Sequence, residues 1–549
     1  MFFRLRPGWQ RFRFSMDAWT VASSCIVVVI CLPVLTLLFT LLLGESQFWG
    51  EIAERLPDYL KNTSILLIGT AVLSLLMGVP TAWLVTFHDF PGRRYYEWAL
   101  ILPLAIPTYI AATTYKGILD FTGPVQTLLR NSFGAETARM FAIDIMTMWG
   151  AVLVMSAVLY PYIYVTTRVS FLRQSASVLE VSRSLGRSAW QTFTSVGLPL
   201  ARPAIIGGLI LVLMEALNDY GAVKYYEVHT LTVGIFHAWS DYFDEISAVR
   251  LSGCLLLFVF ALMSLERWQR GRKKFNSSTS NHRSVVRYPL KGMKALLASV
   301  ACFIPLALGF LIPAAQLTAW SLRTAGKVVN QKFIILAMHS FLLALAATAF
   351  VIVIGILILY TGRLHQTRHT RVLSKISLMG YMIPGAVLAI GVMILFKRMD
   401  NGLSSFWQSA AGGLVLSGTV FAMTYAYVVR FLAVGHSPLE AGFKRLSPKL
   451  DEASRSLGLS KGKTLFKINL PLMKGAILGA AILVFIDVLK ELPLTLILQP
   501  FNFETLATRT FQLAGEEMLA ESANSALVIL VVGTIPIMFL NKIITRDVQ

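Results

Sequence analysis

The sequence predicts an all-α polytopic membrane protein of about twelve transmembrane helices, and three observations predict it. Only 14% of the 549 residues are charged, against about 25% in an ordinary soluble chain. The hydrophobic share is 56% and the mean hydropathy +0.65. Apolar runs recur along the whole length. The first, residues 20–44, contains no Asp, Glu, Lys or Arg, and about 20 apolar residues suffice to cross the hydrocarbon core. This composition excludes an ordinary soluble enzyme and a disordered chain. It also excludes a polar nucleic-acid binder, so the formal net charge of +20 calls for a different explanation.

Taken in order, Arg4, Arg6, Arg11 and Arg13 precede the first apolar run. That run is too long for a signal-peptide core, and no clean small-x-small cleavage site follows it. It reads as a retained span. Spans are expected at 20–44, 63–87, 98–115, 147–167, 202–223, 247–265, 295–320, 336–360, 376–396, 408–429, 475–498 and 524–541. They must be helices: unpaired backbone is too costly in lipid, and the segments are too long for barrel strands. Pro103, Pro107 and Pro384 are expected to kink spans 3 and 9. With the N-terminus inside, and with Arg202, Arg250 and Lys490 within spans counted to the nearer side, the inner segments hold 35 of the 49 Lys and Arg and the outer ones 14. Basic residues collect in cytoplasmic loops, so both termini are placed in the cytoplasm. Cys25, Cys31, Cys254 and Cys302 all lie in apolar runs and read as small buried hydrophobes. Of the eight histidines only His365 and His369 are four apart, in a basic loop that reads as a solvated face.

Glu266–Lys294 carries nine basic residues and the polar run Asn276–Ser280. It reads as a cytoplasmic linker between two six-span halves, because the halves repeat. Ile106-Pro107 recurs at Ile383-Pro384. Ser182-Arg-Ser-Leu-Gly186 recurs at Ser454-Arg-Ser-Leu-Gly458, and Leu198-Pro199 at Leu470-Pro471. An even number of spans separates the copies, so the halves have the same orientation, related by an axis along the membrane normal.

The most informative repeat is the cytoplasmic loop before spans 5 and 11. Glu180-Val-Ser-Arg-Ser-Leu-Gly186 runs on to Val196-Gly-Leu-Pro199. Glu452-Ala-Ser-Arg-Ser-Leu-Gly458 runs on to Ile468-Asn-Leu-Pro471. In each the glutamate precedes the glycine by six and the glycine precedes the proline by thirteen. The pattern reads as a short helix, a glycine turn, a second amphipathic helix, and a proline where only an orphan donor is lost. Ser182 and Ser454 are small enough to leave room for a partner surface.

These loops resemble the EAA motif, E-A-A-x3-G-x9-I-x-L-P, of permease subunits of bacterial ABC importers that work with periplasmic binding proteins. The second copy keeps Glu452, Ala453, Gly458, Ile468, Leu470 and Pro471. The first keeps Glu180, Gly186, Leu198 and Pro199, with Val181 and Ser182 in place of the alanines. The resemblance implies two tandem, parallel type I (MetI-like) permease halves in a bacterial inner membrane. It implies coupling roles for Glu180, Ser182, Gly186, Pro199, Glu452, Ala453, Gly458 and Pro471, each loop seated on one of two ABC ATPase subunits. The domains expected are 1–61 (tail, first span and outward loop), 62–265 (first permease domain), 266–335 (linker, span 7 and outward loop), 336–541 (second permease domain) and 542–549 (tail). Gly458-Leu-Ser-Lys-Gly-Lys-Thr464 imitates a phosphate-binding loop. It has three residues between its glycines where four are needed, and no buried strand precedes it. The chain is therefore expected to bind no cofactor and to be no enzyme by itself, ATP and Mg being used by the partner ATPase.

Spans 5 and 11 carry acids in register: Glu215 with Asp487, and Asp219 with Glu491. Each pair is spaced i, i+4 and shares a helix face. Carboxylates in a membrane mark a pathway by default, and hard cations take oxygen ligands. Glu215, Asp219, Asp487 and Glu491 are thus candidates for a translocation pathway or gate with transient metal contact, or for structural locks paired to Lys490 or Lys224. The surrounding text, Glu215–Tyr226, Asp487–Thr495 and Pro500–Thr508, resembles fused-permease ferric-iron importers. Thiamine, polyamine and aminophosphonate importers share parts of it. The ferric resemblance implies a periplasmic ferric-binding protein as partner. A proton-driven secondary transporter fits the span count but not the paired loops.

Overall fold

The structure is a computed structural model, and it describes residues 17–173, 182, 184–270, 287–406 and 416–546. Helices account for nearly all of it. Seven are long and apolar enough to cross a membrane: Ala18–Leu43, Leu56–Phe87, Met148–Leu172, Trp190–Asn218, Glu245–Leu265, Met293–Val328 and Gln331–Leu364. Three further bent pairs raise that number to ten. Leu519–Arg546 has a shorter apolar stretch, and Val420–Arg445 carries charge in its middle. With these two, each expected span has its helix, and the chain is an all-α, multi-pass membrane protein.

Spans 3 and 9 are broken rather than kinked. Arg93–Ala105 and Thr108–Phe133 meet at 94°, and Arg368–Met382 and Gly385–Gly402 at 109°. The cause is the residue before each proline. The ring excludes the α conformation from its predecessor, and Ile106 and Ile383 are extended, with ψ of 117° and 124°. Span 10 lies further along than expected, at Val420–Arg445 instead of 408–429. Arg430 and His436 lie beyond the expected end, yet both are buried in the helix. Residues 407–415 of the expected span lie outside the described residues.

Prolines also explain three π-helical turns: Phe193–Gly197, Ala307–Leu311 and Leu465–Asn469. Each ends two residues before a proline, Pro199, Pro313 or Pro471. Proline has no N–H to give the carbonyl four residues back. The preceding turn widens to i→i+5 bonding instead.

The chain folds as two compact units, each assembled from three stretches. The first comprises Met1–Gln47, Phe243–Arg250 and Ile334–Thr508. In it span 1 buries Ser23, Val27, Ile30 and Leu37. Ser23 hydrogen-bonds Thr361 (2.8 Å) and Ser24 hydrogen-bonds His369 (3.1 Å). Span 1 crosses the second helix of span 9 at Gly391, where a Cβ would lie 2.9 Å from the Pro33 carbonyl oxygen. The second unit comprises Phe48–Tyr242, Leu251–Phe333 and Arg509–Gln549. Its centre is the packing of span 2 on span 4. Span 7 runs along span 12, bound through Ser321, Thr324 and Asn524 (2.7–2.9 Å). The end of the linker is pinned to the same unit by a short parallel ladder, His88–Asp89 with Tyr288–Pro289. The compact units therefore cut across the contiguous division read from the repeat, because spans 1 and 7 bury their faces away from their neighbours in sequence.

Candidate functional site

The second EAA-like loop is a helix, a turn and a helix. Ser447 caps Pro448–Ser456 through the Lys449 N–H, with Pro448 in the first turn. Asp451 is buried on the inner face of that helix, and its Oδ2 accepts from Arg363 Nε at 2.5 Å. The same guanidinium donates to the carbonyls of Phe443, Leu446 and Ser447 (2.9–3.1 Å). It thereby joins the ends of spans 8 and 10 to the loop. Gly458 turns the chain at φ +82°, a left-handed conformation that costs other residues roughly 1–2 kcal/mol. Ser460 caps Lys461–Thr464, which leads through the π turn into span 11.

The first loop repeats the turn and the second helix 272 positions earlier. Gly186 has φ +80°. Ser188 and Gln191 bond reciprocally (2.9 and 3.2 Å) at the start of Ala189–Thr192, which is a capping box. Its inner side rests on aromatic rings: Trp83 packs on Phe87, Phe171 and Phe193 at centroid distances of 4.3–5.4 Å. Glu180 lies outside the described residues.

Ser182 and Ser454 do not face outward, as their size suggested. Both are buried. Ser182 shares a hydrogen bond with Thr192 (3.2 Å), and Ser454 with Thr464 (2.8 Å). In the second loop this smallness lets the two helices cross closely. The outer surface is made by other residues. Glu452, Ala453, Gly458, Gly186, Pro199 and Pro471 are exposed. So are Leu185 at 75% and its counterpart Leu457 at 83%. These two leucines were missed in the sequence, although they stand inside the repeated Ser-Leu-Gly string.

The membrane acids separate into two kinds. Asp219 and Glu491 are buried where spans 5 and 11 end, each within its own unit. Thr108 Oγ1, at the break of span 3, donates to Asp219 Oδ2. Asp219 Oδ1 accepts the Ala222 and Val223 N–H groups (2.9 and 3.4 Å) and so caps Gly221–Tyr225. Glu491 likewise receives the Leu494 N–H (3.3 Å) at the start of Pro493–Leu498. The counterpart of Thr108 is Gly385, and a side chain there would collide with both Arg430 and Glu491. The Arg430 guanidinium fills that space, with its Nε 3.6 Å from Glu491 Oε2. Both acids therefore hold a span end to a span break. Asp487 pairs with Lys490 (2.9 Å) and is half-buried, as is Glu215. Among the described residues no group of three or more His, Cys, Asp or Glu is placed to hold a metal ion.

Residues 351–549 match the family described as binding-protein-dependent transport system inner membrane component. Fold, paired loops and this match over the second half make the chain similar to the membrane permeases of ABC importers. Over 89% of its length the chain is 23% identical to an Fe(3+)-transport system permease protein of Haemophilus influenzae, covering 90% of it. It is 23% identical to a probable ABC transporter permease protein of Sinorhizobium fredii, again over 89% of the chain and 88% of the relative. A sulfate transport system permease protein of Escherichia coli is 26% identical, with 94% of it covered by 46% of this chain. A single-length relative thus fits within half of the chain, as an internal duplication requires.

Proposed function

We propose that this chain is the transmembrane permease of an ATP-driven importer. It carries ferric iron from a periplasmic binding protein to the cytoplasm by alternating access, with both termini inside. The observation that carries the reading is the identical construction of the two loops: a buried Ser–Thr pair, a left-handed glycine, a π turn and a proline in each. Two rigid hooks of one shape suit two copies of one ATPase. Leu185 and Leu457 are the apolar tips that enter its surface. Nucleotide chemistry belongs to that partner, and this chain supplies no nucleotide site. Closure of the ATPases draws the loops together, and spans 5 and 11 carry the movement to the outward end. There Glu215 and Asp487 line the path of the cation, while Asp219 and Glu491 latch the ends of the spans. Ferric iron is preferred because a relative similar over 89% of the chain is named for Fe(3+) transport. The test is uptake into proteoliposomes holding the permease, the cognate ATPase and the binding protein. Labelled ferric iron should accumulate with ATP, and sulfate should not. Replacing Gly186 and Gly458 together by leucine should abolish uptake while protein remains in the membrane. Uptake that survives both changes refutes the coupling assignment, and uptake by the permease alone under a proton gradient refutes the class.

A further inference from the structure

The two loops are alike in backbone but held by different means. In the first, aromatic rings provide the support: Trp83 of span 2 packs on Phe193 of the loop's second helix. At the counterpart of Trp83 the second half has Tyr360, whose hydroxyl donates to the Lys461 carbonyl at 2.6 Å. Trp19 of span 1 meets the Tyr360 ring edge-on at 5.2 Å. Next to Trp19, Asp17 receives Lys461 Nζ at 2.7 Å and contacts His365 Nε2 at 3.0 Å, while its Oδ1 caps span 1 through the Thr20 N–H (3.1 Å). The counterpart of Lys461 in the first loop is Ala189, which has no charge for an acid to grip.

We infer that Asp17 is a positioning residue for the second loop, fastening its second helix to span 1, so that the two loops transmit ATPase movement unequally. The inference rests on the coupling role proposed above. The charge-assisted bond lies at a partly exposed surface, where such pairs contribute about 0.2–1 kcal/mol. It is a latch that can open rather than a fixed strut. Among its described residues the first loop shows no such latch, and it rests on ring packing, which yields only by moving side chains in a close-packed core.

The test uses the permease assembled with its ATPase and reconstituted in lipid. Asn is as good a helix cap as Asp, so Asp17→Asn removes the charge and leaves the cap. Amide hydrogen exchange is measured across 457–465 and 185–193. The expected result for Asp17→Asn is exchange between about 1.4-fold and fivefold faster across 457–465, the range one such pair contributes, with 185–193 unchanged. Lys461→Met should do the same, the double variant should add nothing further, and Asp17→Glu should restore the native rate. Iron taken up per ATP hydrolysed should fall in step with the exchange. Unchanged exchange across 457–465, or equal acceleration of both segments, overturns the inference. Changed exchange with an unaltered uptake-to-ATP ratio overturns the unequal transmission. A native complex with no ATP-dependent uptake would instead refute the coupling role itself.

Discussion

Ser454 and Thr464 share a buried hydrogen bond of 2.8 Å across the two helices of one loop, and Ser182 and Thr192 repeat it at 3.2 Å in the other. The bond joins residues ten apart across a glycine turn. Removing one partner leaves a hydroxyl unpaired in a buried place, at a cost of about 1–3 kcal/mol. Thr464→Val should therefore lower the thermal stability of the permease. Ser454→Ala combined with Thr464→Val should be milder than the sum of the single changes. A double-mutant cycle on unfolding midpoints checks this, and additive effects would show that the two hydroxyls do not interact.

Gly186 and Gly458 are exposed, and a Cβ at either meets nothing within 4 Å. The obstacle to substitution is backbone conformation alone. Ala at either position should cost roughly 1–2 kcal/mol, and Asn, which tolerates the left-handed region, clearly less. ATP-driven uptake should rank Gly, then Asn, then Ala. Equal activity of the Asn and Ala variants would mean that the turn geometry does not matter.

Leu185→Glu or Leu457→Glu puts a charge on an exposed tip without touching the packing beneath. The permease should reach the membrane in normal amount and fail to retain ATPase on affinity purification. Normal retention in the double variant would place the ATPase contact elsewhere.

Arg430 and Glu491 form an ion pair in which both groups are buried. Breaking such a pair on one side costs about 3–5 kcal/mol, because the other charge is left uncompensated. Arg430→Met should reduce the protein recovered from membranes, and Arg430→Met with Glu491→Gln should recover much of the loss. By contrast, Glu215→Gln with Asp487→Asn should leave protein level unchanged and lower iron uptake. If uptake is unaltered, those two acids are not on the path.

Burial pushes the Asp17 carboxyl up, but its hydrogen bonds to Lys461 and His365 outweigh burial and hold it well below the ordinary carboxylate range. A depressed carboxyl stabilises the fold fully above its unfolded value of about 4 and loses that contribution as pH falls further. Melting temperature of the native protein should thus drop between about pH 4 and pH 2 more steeply than that of Asp17→Asn. Parallel curves would show that the clamp makes no contribution.

The sequence spoke clearly wherever the physics is local. Uninterrupted apolar runs mark spans, and a 272-residue repeat marks the loops with their glycines and prolines. It also carried signs that went unread. Thr192 and Thr464 keep the same offset as Ser182 and Ser454, and the charge of Arg430 within an apolar stretch points to an acid partner. Other features depend on distant contacts that no periodicity records. Thr108 meets Asp219 across 111 positions, and Asp17 meets Lys461 across 444. Which segment span 1 or span 7 packs against is equally invisible to hydropathy, because an apolar face fits many others.

That exchange of segments bears on biogenesis. The first unit needs residues from before position 47 and from as late as 508, and the second needs residues beyond 509. Neither can close while the ribosome is still making the first half. Span 2 can pack on span 4 early, but span 1 must wait in the bilayer for partners from the second half, and each unit is completed only near the end of translation.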